Sequence, residues 1–286
     1  MNDDAEHTDR PDEGRRRILR AGAGLGLAAA FGPVAASESM KWRFEEWYPA
    51  PEGANWRVLD GHDSGYLAPG WRRKTCNLGH RIAYNSSPDS RNGFVHVVRK
   101  RDVVDPIGVD SRRIPANFSS FSRVLLRYHH WIEKHSYLDG KWIGLQLGRG
   151  WISRGHPRGA NALYGSDGAG VNTMHPGRSG GNGIRLLASH PKQRTVFGDN
   201  MGSGREILPT GRWLTVDVVV DKSSGYRLYV DGRMMVKSSK LTPVRRWEDC
   251  GCIWYRTRLM HGGTPAKLRA LHDYREWFGG YFVAVA

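Results

Sequence analysis

The sequence predicts an all-β fold, a jelly-roll sandwich of two antiparallel sheets with few short helices. Short runs of alternating apolar and polar residues recur through the chain, which is the periodicity of half-buried strands. The 36 glycines and 11 tryptophans are typical of short strands joined by tight turns. Helical periodicity is weak everywhere, so a helical bundle is disfavoured and two packed sheets are favoured.

The clearest strand runs from Arg123 to Glu133. Successive side chains of a strand point to opposite faces of the sheet. Alternation therefore predicts one apolar face and one polar, aromatic face. The apolar set is Val124, Leu126, Tyr128, His130 and Ile132, and the opposite set is Arg127, His129 and Trp131.

A hairpin is predicted where Tyr226–Val230 leads through Asp231-Gly232 into Arg233–Val236, because Asp-Gly between two strand-like runs is a strong two-residue turn signal. Six more stretches have strand character: Phe94–Val98, Trp142–Leu147, Ile184–Ala188, Leu214–Val220, Ile253–Met260 and Tyr281–Val285. A short helix is predicted around Leu268–Tyr274.

Residues 148–182 differ from the rest of the chain. They contain ten glycines, few aliphatic residues, and several bases and aromatics. A long segment of this kind inside a compact domain is usually either functional or a plain excursion. We expect a loop that covers a substrate, with a flexible excursion as the alternative.

Residues 1–36 are predicted to be an export signal, which leaves residues 37–286 as a single jelly-roll domain. Arg15-Arg16-Arg17 precedes the apolar run Ala21–Phe31, and the small residues Val34-Ala35-Ala36 supply a cleavage site. The paired arginines are typical of a twin-arginine signal, which predicts a periplasmic or secreted protein that is exported already folded. An ordinary secretory signal is the alternative.

The charge of the remaining chain predicts an anionic partner. Residues 1–36 hold five of the 43 Lys and Arg and six of the 28 Asp and Glu, so the rest carries a net charge of +16. Such a field attracts polyanions. Export argues against nucleic acid and favours an acidic polysaccharide. We expect a monomer that does not bind a membrane once the signal is removed.

No cofactor is predicted. Cys76, Cys250 and Cys252 form no disulfide framework, although Cys76 could bridge to either of the others, and no spacing of Cys and His matches a zinc site. No oxygen-rich calcium loop is present either. A glycosidase of this fold needs paired carboxylates alternating on one strand, and no such run exists.

Three stretches resemble polysaccharide lyase family fourteen, the jelly-roll alginate lyases and their relatives with a concanavalin A-like fold. They are Tyr137–Leu145 with its Gly140-Lys141 pair, Gly183–Leu187 with Arg185, and the half of the chain that contains Gly211-Arg212-Trp213, Leu228–Gly232 and His261–Pro265. The resemblance spans roughly residues 120–286. It implies a lyase that cleaves a uronic-acid polymer such as alginate or glucuronan by β-elimination.

The chain departs from that family at one place. The family pattern has a Tyr-x-Tyr pair about a dozen residues after the strand arginine, whereas this chain reads Arg194–Asp199 without tyrosine. The departure keeps open a non-catalytic, lectin-like jelly roll that only binds carbohydrate.

β-Elimination requires a base for the C5 proton, a cation for the C5 carboxylate and an acid for the leaving O4. The resemblance assigns the base to Lys141, and nearby cations lower the pKa of a lysine. His175 and Tyr164 are the candidates to replace the missing tyrosines. The expected substrate-binding residues are Arg185, whose guanidinium can hold a carboxylate with two hydrogen bonds, and Arg127, His129, Trp131, Trp151 and Arg149.

Overall fold

The computed structural model describes a defined subset of the chain, and the structural statements below concern these residues alone: 48–62, 72–75, 81–83, 95–99, 106–133, 139–148, 169–176, 183–190, 199–204, 207–239, 244, 246–261 and 273–286. Contacts within the chain divide it into Met1–Ser37 and Glu38–Ala286, and all of the described residues belong to the second unit.

Fifteen strands and two single turns of 3-10 helix, Pro51–Gly53 and Phe118–Ser120, make up the described part of the chain. The strands are β1 (Arg57–His62), β2 (Arg72–Thr75), β3 (Arg81–Ala83), β4 (Val95–Arg99), β5 (Pro106–Pro115), β6 (Arg123–Ile132), β7 (Asp139–Leu147), β8 (Ala169–Pro176), β9 (Arg185–Ser189), β10 (Asp199–Ser203), β11 (Trp213–Asp221), β12 (Gly225–Val230), β13 (Arg233–Ser238), β14 (Cys252–His261) and β15 (Tyr274–Val285).

The strands form two antiparallel sheets, as the sequence predicts. Sheet A has the order β13-β12-β11-β6-β15-β4-β3, and β1 also pairs with β15. Sheet B has the order β10-β9-β8-β7-β14-β5-β2. Every strand pair is antiparallel and most sheet neighbours are distant in the sequence, so the architecture is the predicted jelly-roll sandwich.

The core lies between the two sheets. Sheet A contributes alternate residues such as Val124, Leu126 and Val218, and sheet B contributes residues such as Leu145 and Val171. The rings of Tyr255 on β14 and Tyr281 on β15 stack across this core with centroids 4.2 Å apart. The predicted apolar face of Arg123–Glu133 is confirmed as the core face of β6.

The opposite face of sheet A is also buried, because an N-terminal segment (residues 48–62) lies across it. Trp56 packs against a cluster of buried residues on that face, Leu125, Val219, Tyr229 and Ala284. Glu52 accepts a hydrogen bond from Tyr229 at 2.9 Å and pairs with Arg123 and Arg227 at 3.2 and 3.0 Å. The segment then enters the sheet as β1. Sheet A is therefore covered on both sides.

An ion pair is buried beneath this segment. The guanidinium of Arg127 donates two hydrogen bonds to the carboxylate of Asp217, at 2.7 and 2.8 Å, and both side chains are 1% exposed. Two further N–H donors of the guanidinium reach the backbone oxygens of Tyr48 and Pro49 at 2.9 and 3.2 Å. Because every part of the arginine fork is paired, the charge is held at a defined place under the segment.

The predicted hairpin is confirmed, with β12 and β13 joined at Asp231-Gly232. Asp231 and Gly232 have φ of 51° and 72°, the left-handed values that a tight hairpin turn requires. The Asp231 carboxylate accepts hydrogen bonds from the backbone N–H of Thr215 at 2.8 Å and from Arg212. These contacts offset the conformational cost at a non-glycine position.

Two sequence predictions need correction. The expected loop over residues 148–182 contains strand β8 (Ala169–Pro176), and its remaining residues lie outside the described ones except Gly148. The expected short helix over residues 268–274 overlaps the start of β15 at Tyr274, and residues 268–272 lie outside the described part. The strands around the six other predicted stretches are present, several with extended bounds.

Cys250 and Cys252 are both buried and are not bonded to each other in a disulfide, and the Cys252 thiol donates to the Gly148 carbonyl at 3.1 Å. Cys76 lies outside the described residues. Among the helical turns of the described part, none has the length and apolar character of a membrane span.

Candidate active site

The outer face of sheet B, which is turned away from the core, carries the candidate site. The core side chains of β7, β8 and β14 are Leu145, Val171 and Tyr255, so alternation assigns the residues between them to the outer face. Cross-strand partners share a face, and the register therefore extends this assignment over the sheet.

Seven basic residues occupy outer-face positions of this sheet. They are Arg72 and Lys74 on β2, Arg113 on β5, Arg256 and Arg258 on β14, Lys141 on β7 and Arg185 on β9. Neighbouring strands lie about 4.8 Å apart, so these positions span roughly 24 Å from β9 to β2. A surface of this composition suits an extended polyanion.

One row of partners crosses the face near one end of the strands. Lys141 pairs with Met260 on β14 and with Met174 on β8, and Met174 pairs with Arg185 on β9. The row continues to Ser203 on β10. Lys141 and Arg185 are therefore two strands apart, roughly 10 Å, on the same face.

Arg185 and Ser203 are the members of this row whose side chains the structure describes. Arg185 is half-buried, and its Nε donates to the Ser203 hydroxyl at 3.0 Å. This contact uses one edge of the guanidinium. Because an arginine offers five N–H donors in a fixed fork, the group can hold a carboxylate in the geometry that a uronate presents.

A second row contains an aromatic ring beside an amide. Arg113, Trp254 and Gln146 are successive cross-strand partners, and the Arg113 guanidinium lies over the Trp254 ring at 5.9 Å from its centroid. Gln146 is 1% exposed, and within the described part of the chain neither polar atom of its amide has a hydrogen-bond partner. A buried amide without partners costs stability, which is the kind of exception that functional sites contain.

Three of the predicted substrate-binding residues lie on the other sheet. Arg127, His129 and Trp131 are on β6 of sheet A, on its outer face. Arg127 is buried in the ion pair with Asp217, and His129 is 1% exposed with Nδ1 3.2 Å from the Thr215 hydroxyl. Trp131 packs edge-to-face against Trp213 at 5.7 Å. The structure does not bring these residues to Lys141 or Arg185, and the burial of Arg127 and His129 corrects their expected role.

The other candidates lie elsewhere. His175 is on β8 at the register position opposite Gly140, which alternation assigns to the face opposite that of Lys141. Tyr164, Trp151 and Arg149 lie outside the described residues. In the described part of the chain, no three His, Cys, Asp or Glu side chains are grouped as metal ligands.

Sequence reasoning missed the contribution of β14. Trp254, Arg256 and Arg258 alternate in the sequence, with Ile253, Tyr255 and Thr257 between them. This pattern predicts one cationic, aromatic face and one apolar face. The signal was present, although only the register shows that this stripe lies beside Lys141.

The chain shares its fold with solved polysaccharide-active enzymes. The PL-14 alginate lyase from Aplysia kurodai is 13% identical, with a TM-score of 0.58 over 80% of this chain and 100% of that one. An alginate lyase from a Chlorella virus is 14% identical, with a TM-score of 0.52 over 76% and 93%. An endo-β-1,3-glucanase from Pyrococcus furiosus is 13% identical, with a TM-score of 0.52 over 82% and 96%.

A further neighbour is the alginate lyase Aly36B, solved with an alginate trisaccharide after a lysine and a methionine were replaced by alanine. It is 13% identical, with a TM-score of 0.52 over 71% of this chain and 84% of that one. No protein-family model matches the chain, and no curated protein matches it. The fold is thus that of jelly-roll alginate lyases and glucanases.

Proposed function

We propose that this protein is an exported polysaccharide lyase that cleaves a uronic-acid polymer by β-elimination on the outer face of sheet B. The observation that carries the proposal is the set of seven basic positions on that face, with Lys141 near its middle. The fold of the alginate lyase neighbours supports it.

In this proposal carboxylate binding and proton abstraction use residues of the basic face, and protonation of the leaving group uses a residue outside it. Arg185 binds the C5 carboxylate and stabilises the negative charge that develops there. The Lys141 amine takes the C5 proton. The electron pair of the C5–H bond then forms the C4–C5 double bond, and the C4–O4 bond breaks. Tyr164, the remaining candidate acid, protonates the leaving oxygen.

The neighbour solved with alginate trisaccharide offers a correspondence. A lysine and a methionine were mutated in that protein. Here Lys141 and Met174 are cross-strand partners in the middle of the basic face. The proposal treats them as the counterparts of the mutated pair and has the reacting sugar bind above this row.

The direct test is to mix the mature protein with alginate, glucuronan and other acidic polysaccharides and to follow the ultraviolet absorbance of the unsaturated uronate. A rise with one polymer is the expected result. Lys141→Ala should lower the rate by about 10²- to 10⁴-fold with an unchanged melting temperature, since proton transfer by a positioned side chain contributes that much. Lys237→Ala, at an exposed position on sheet A, is the matched control.

The second candidate function is carbohydrate binding without catalysis. It is favoured by the absence of the Tyr-x-Tyr pair from Arg194–Asp199. Salt-sensitive binding of a polyuronate with no unsaturated product from any polymer would establish this function and would remove the lyase proposal.

Export through a twin-arginine signal at residues 1–36 is part of the proposal. Its support is the Arg15-Arg16-Arg17 run before an apolar stretch. Replacing these arginines with lysine should retain the protein in the cytoplasm, as shown by fractionation of expressing cells. Export of that variant at the normal level would point instead to the ordinary secretory route.

A further inference from the structure

The alternation of core-facing and outward-facing positions along β7 is interrupted next to Lys141. Ile143, Leu145 and Leu147 all lie in the core, so strict alternation would assign Lys141 to the core face as well. The pairing of β7 with β8 shows that Lys141 is not on the core face. Gly144 pairs with Asn172 and Lys141 pairs with Met174, so β7 uses three steps where β8 uses two. On the other side of β7, Ile143 pairs with Thr257 and Lys141 with Met260, so β14 uses three steps where β7 uses two. Alternation assigns both Met174 and Met260 to the outer face, so this irregularity, which we call the β7 bulge, transfers Lys141 to the outer face.

A bulge disrupts the ladder of backbone hydrogen bonds, and buried backbone groups near it need other partners. The carbonyl of Ile143 lies at this bulge and accepts a hydrogen bond from the hydroxyl of Thr173, at 3.2 Å. Ile143 and Thr173 are both fully buried. A side chain of β8 therefore bonds the backbone of β7 where the alternation changes.

The Thr173 hydroxyl is bonded in turn from the opposite sheet. The phenol oxygen of Tyr128, on β6, lies 2.6 Å from it. A threonine hydroxyl has one proton, and here that proton is directed to the Ile143 carbonyl. Tyr128 must then donate to Thr173, which gives a chain from the Tyr128 O–H through the Thr173 O–H to the Ile143 carbonyl across the sandwich.

The donor-to-acceptor direction of these hydrogen bonds, from Tyr128 through Thr173 to Ile143, does not change over the pH range of any assay. Burial raises the pKa of Tyr128 well above its usual range. The phenol therefore stays protonated and remains a donor. No ionisable group of the chain has to change its state for the bulge to be held.

We propose that Tyr128 and Thr173 are positioning residues that hold the β7 bulge and thereby keep Lys141 on the substrate face. The inference rests on the proposed function of Lys141. Neither residue contacts the polymer, because both are buried in the core. They act through the backbone of Ile143, two residues from Lys141.

The kinetic test compares variants that remove one hydroxyl with a variant that keeps it. Tyr128→Phe and Thr173→Val should each lower kcat by about 10- to 100-fold, since small misplacements of a reacting group cost that much. KM should stay within about twofold, because the basic face is intact. Thr173→Ser retains the hydroxyl and should restore most of kcat.

A purely structural role predicts a different result. Both variants would then have a lower melting temperature but an unchanged kcat at temperatures where they are fully folded. That outcome, or a Thr173→Ser variant as slow as Thr173→Val, would overturn the inference.

A second measurement does not depend on catalysis. The folded wild type and the Thr173→Val variant are labelled with an amine-reactive reagent, and the rate at Lys141 is read by mass spectrometry relative to Lys237. We expect Lys141 to react in the wild type and its relative rate to change severalfold in the variant. Equal rates, or no labelling of Lys141 in the wild type, would overturn the inference. If the wild type is inactive on every polymer but the labelling rate of Lys141 still changes in Thr173→Val, the proposed function is rejected and the positioning role is retained.

Discussion

The outer faces of the two sheets both carry arginine, yet the two environments are opposite. On sheet A, Arg127 is covered by residues 48–62 and is fully paired with Asp217 and with the backbone oxygens of Tyr48 and Pro49. On sheet B, Arg185 is half-buried, has a hydrogen bond to Ser203, and belongs to a face with six other basic positions. The sequence predicted a substrate-binding role for both. The difference shows that the role of an arginine on a strand depends on the charges around it. An arginine paired with a buried carboxylate stabilises the fold, whereas an arginine among other basic residues is a candidate for binding an anion.

Replacing Arg127 with Met should have the largest effect on stability. It leaves the Asp217 carboxylate buried without its partner, and breaking a buried ion pair in this way costs about 3–5 kcal/mol of the free energy of unfolding. Urea denaturation followed by circular dichroism measures the loss. Arg185→Met, the matched change on the other sheet, should cost under about 1 kcal/mol. Equal losses for the two variants would mean that the two faces do not differ as described.

At the proposed lyase site, replacing Arg185 with Met should instead weaken the binding of a polyuronate. Hydrogen bonds to a charged group contribute about 1.5–3 kcal/mol, so kcat/KM for a polyuronate should fall roughly 10- to 100-fold. Arg185→Lys keeps the charge but loses the two-pronged geometry, and it should recover only part of that loss. Full recovery by lysine would show that charge alone matters at this position. An unchanged kcat/KM for Arg185→Met would remove the residue from the site.

The smallest expected effect concerns acid stability on sheet A, where Asp221 ends β11. Burial raises the pKa of Asp221, but hydrogen bonds from the backbone N–H groups and hydroxyls of Ser223 and Ser224 outweigh it, and the net shift is downward. A carboxyl with a lowered pKa in the folded state stabilises the fold above its unfolded pKa, near 3.8, and that contribution is lost as the pH falls through the folded value.

Asp221→Asn should therefore reduce stability slightly at neutral pH and have a smaller effect below pH ~3. Melting temperatures of the wild type and the variant across this range test the sign. A difference that grows as the pH falls would contradict the assignment of the shift to these hydrogen bonds. Asp249→Asn, at an exposed position with no such turn, is the matched control.

The fold was predictable where local pattern and final environment agree. The β12–β13 hairpin has both alternation and an Asp-Gly turn, and β6 shows its core face directly in Val124, Leu126 and Tyr128. β8 was missed because Gly170, Asn172 and Thr173 give no apolar alternation, and a central strand of sheet B therefore looked like a loop.

The site was predictable only in part, because it depends on contacts between residues that are far apart in the sequence. The burial of Arg127 depends on Tyr48, 79 residues away, and no local pattern indicates that contact. Lys141 was identified through the family resemblance. The face of the sheet on which it lies depends on the β7 bulge, which simple alternation of residues cannot predict. Arg256 and Arg258 did have a readable alternation, and only their proximity to Lys141 required the register.

The position of β15 in sheet A has a consequence for biosynthesis. This strand is the last along the described chain, yet it lies inside the sheet, paired with β6 on one edge and with β4 and β1 on the other. During translation β1, β4 and β6 emerge long before the strand that joins them, so sheet A cannot close until residue 285 has left the ribosome. β1, β4 and β6 therefore lack their shared partner until β15 has been made, and a topology so rich in non-local contacts folds slowly. A chaperone that shields those strands until β15 has emerged would therefore raise the yield of folded protein.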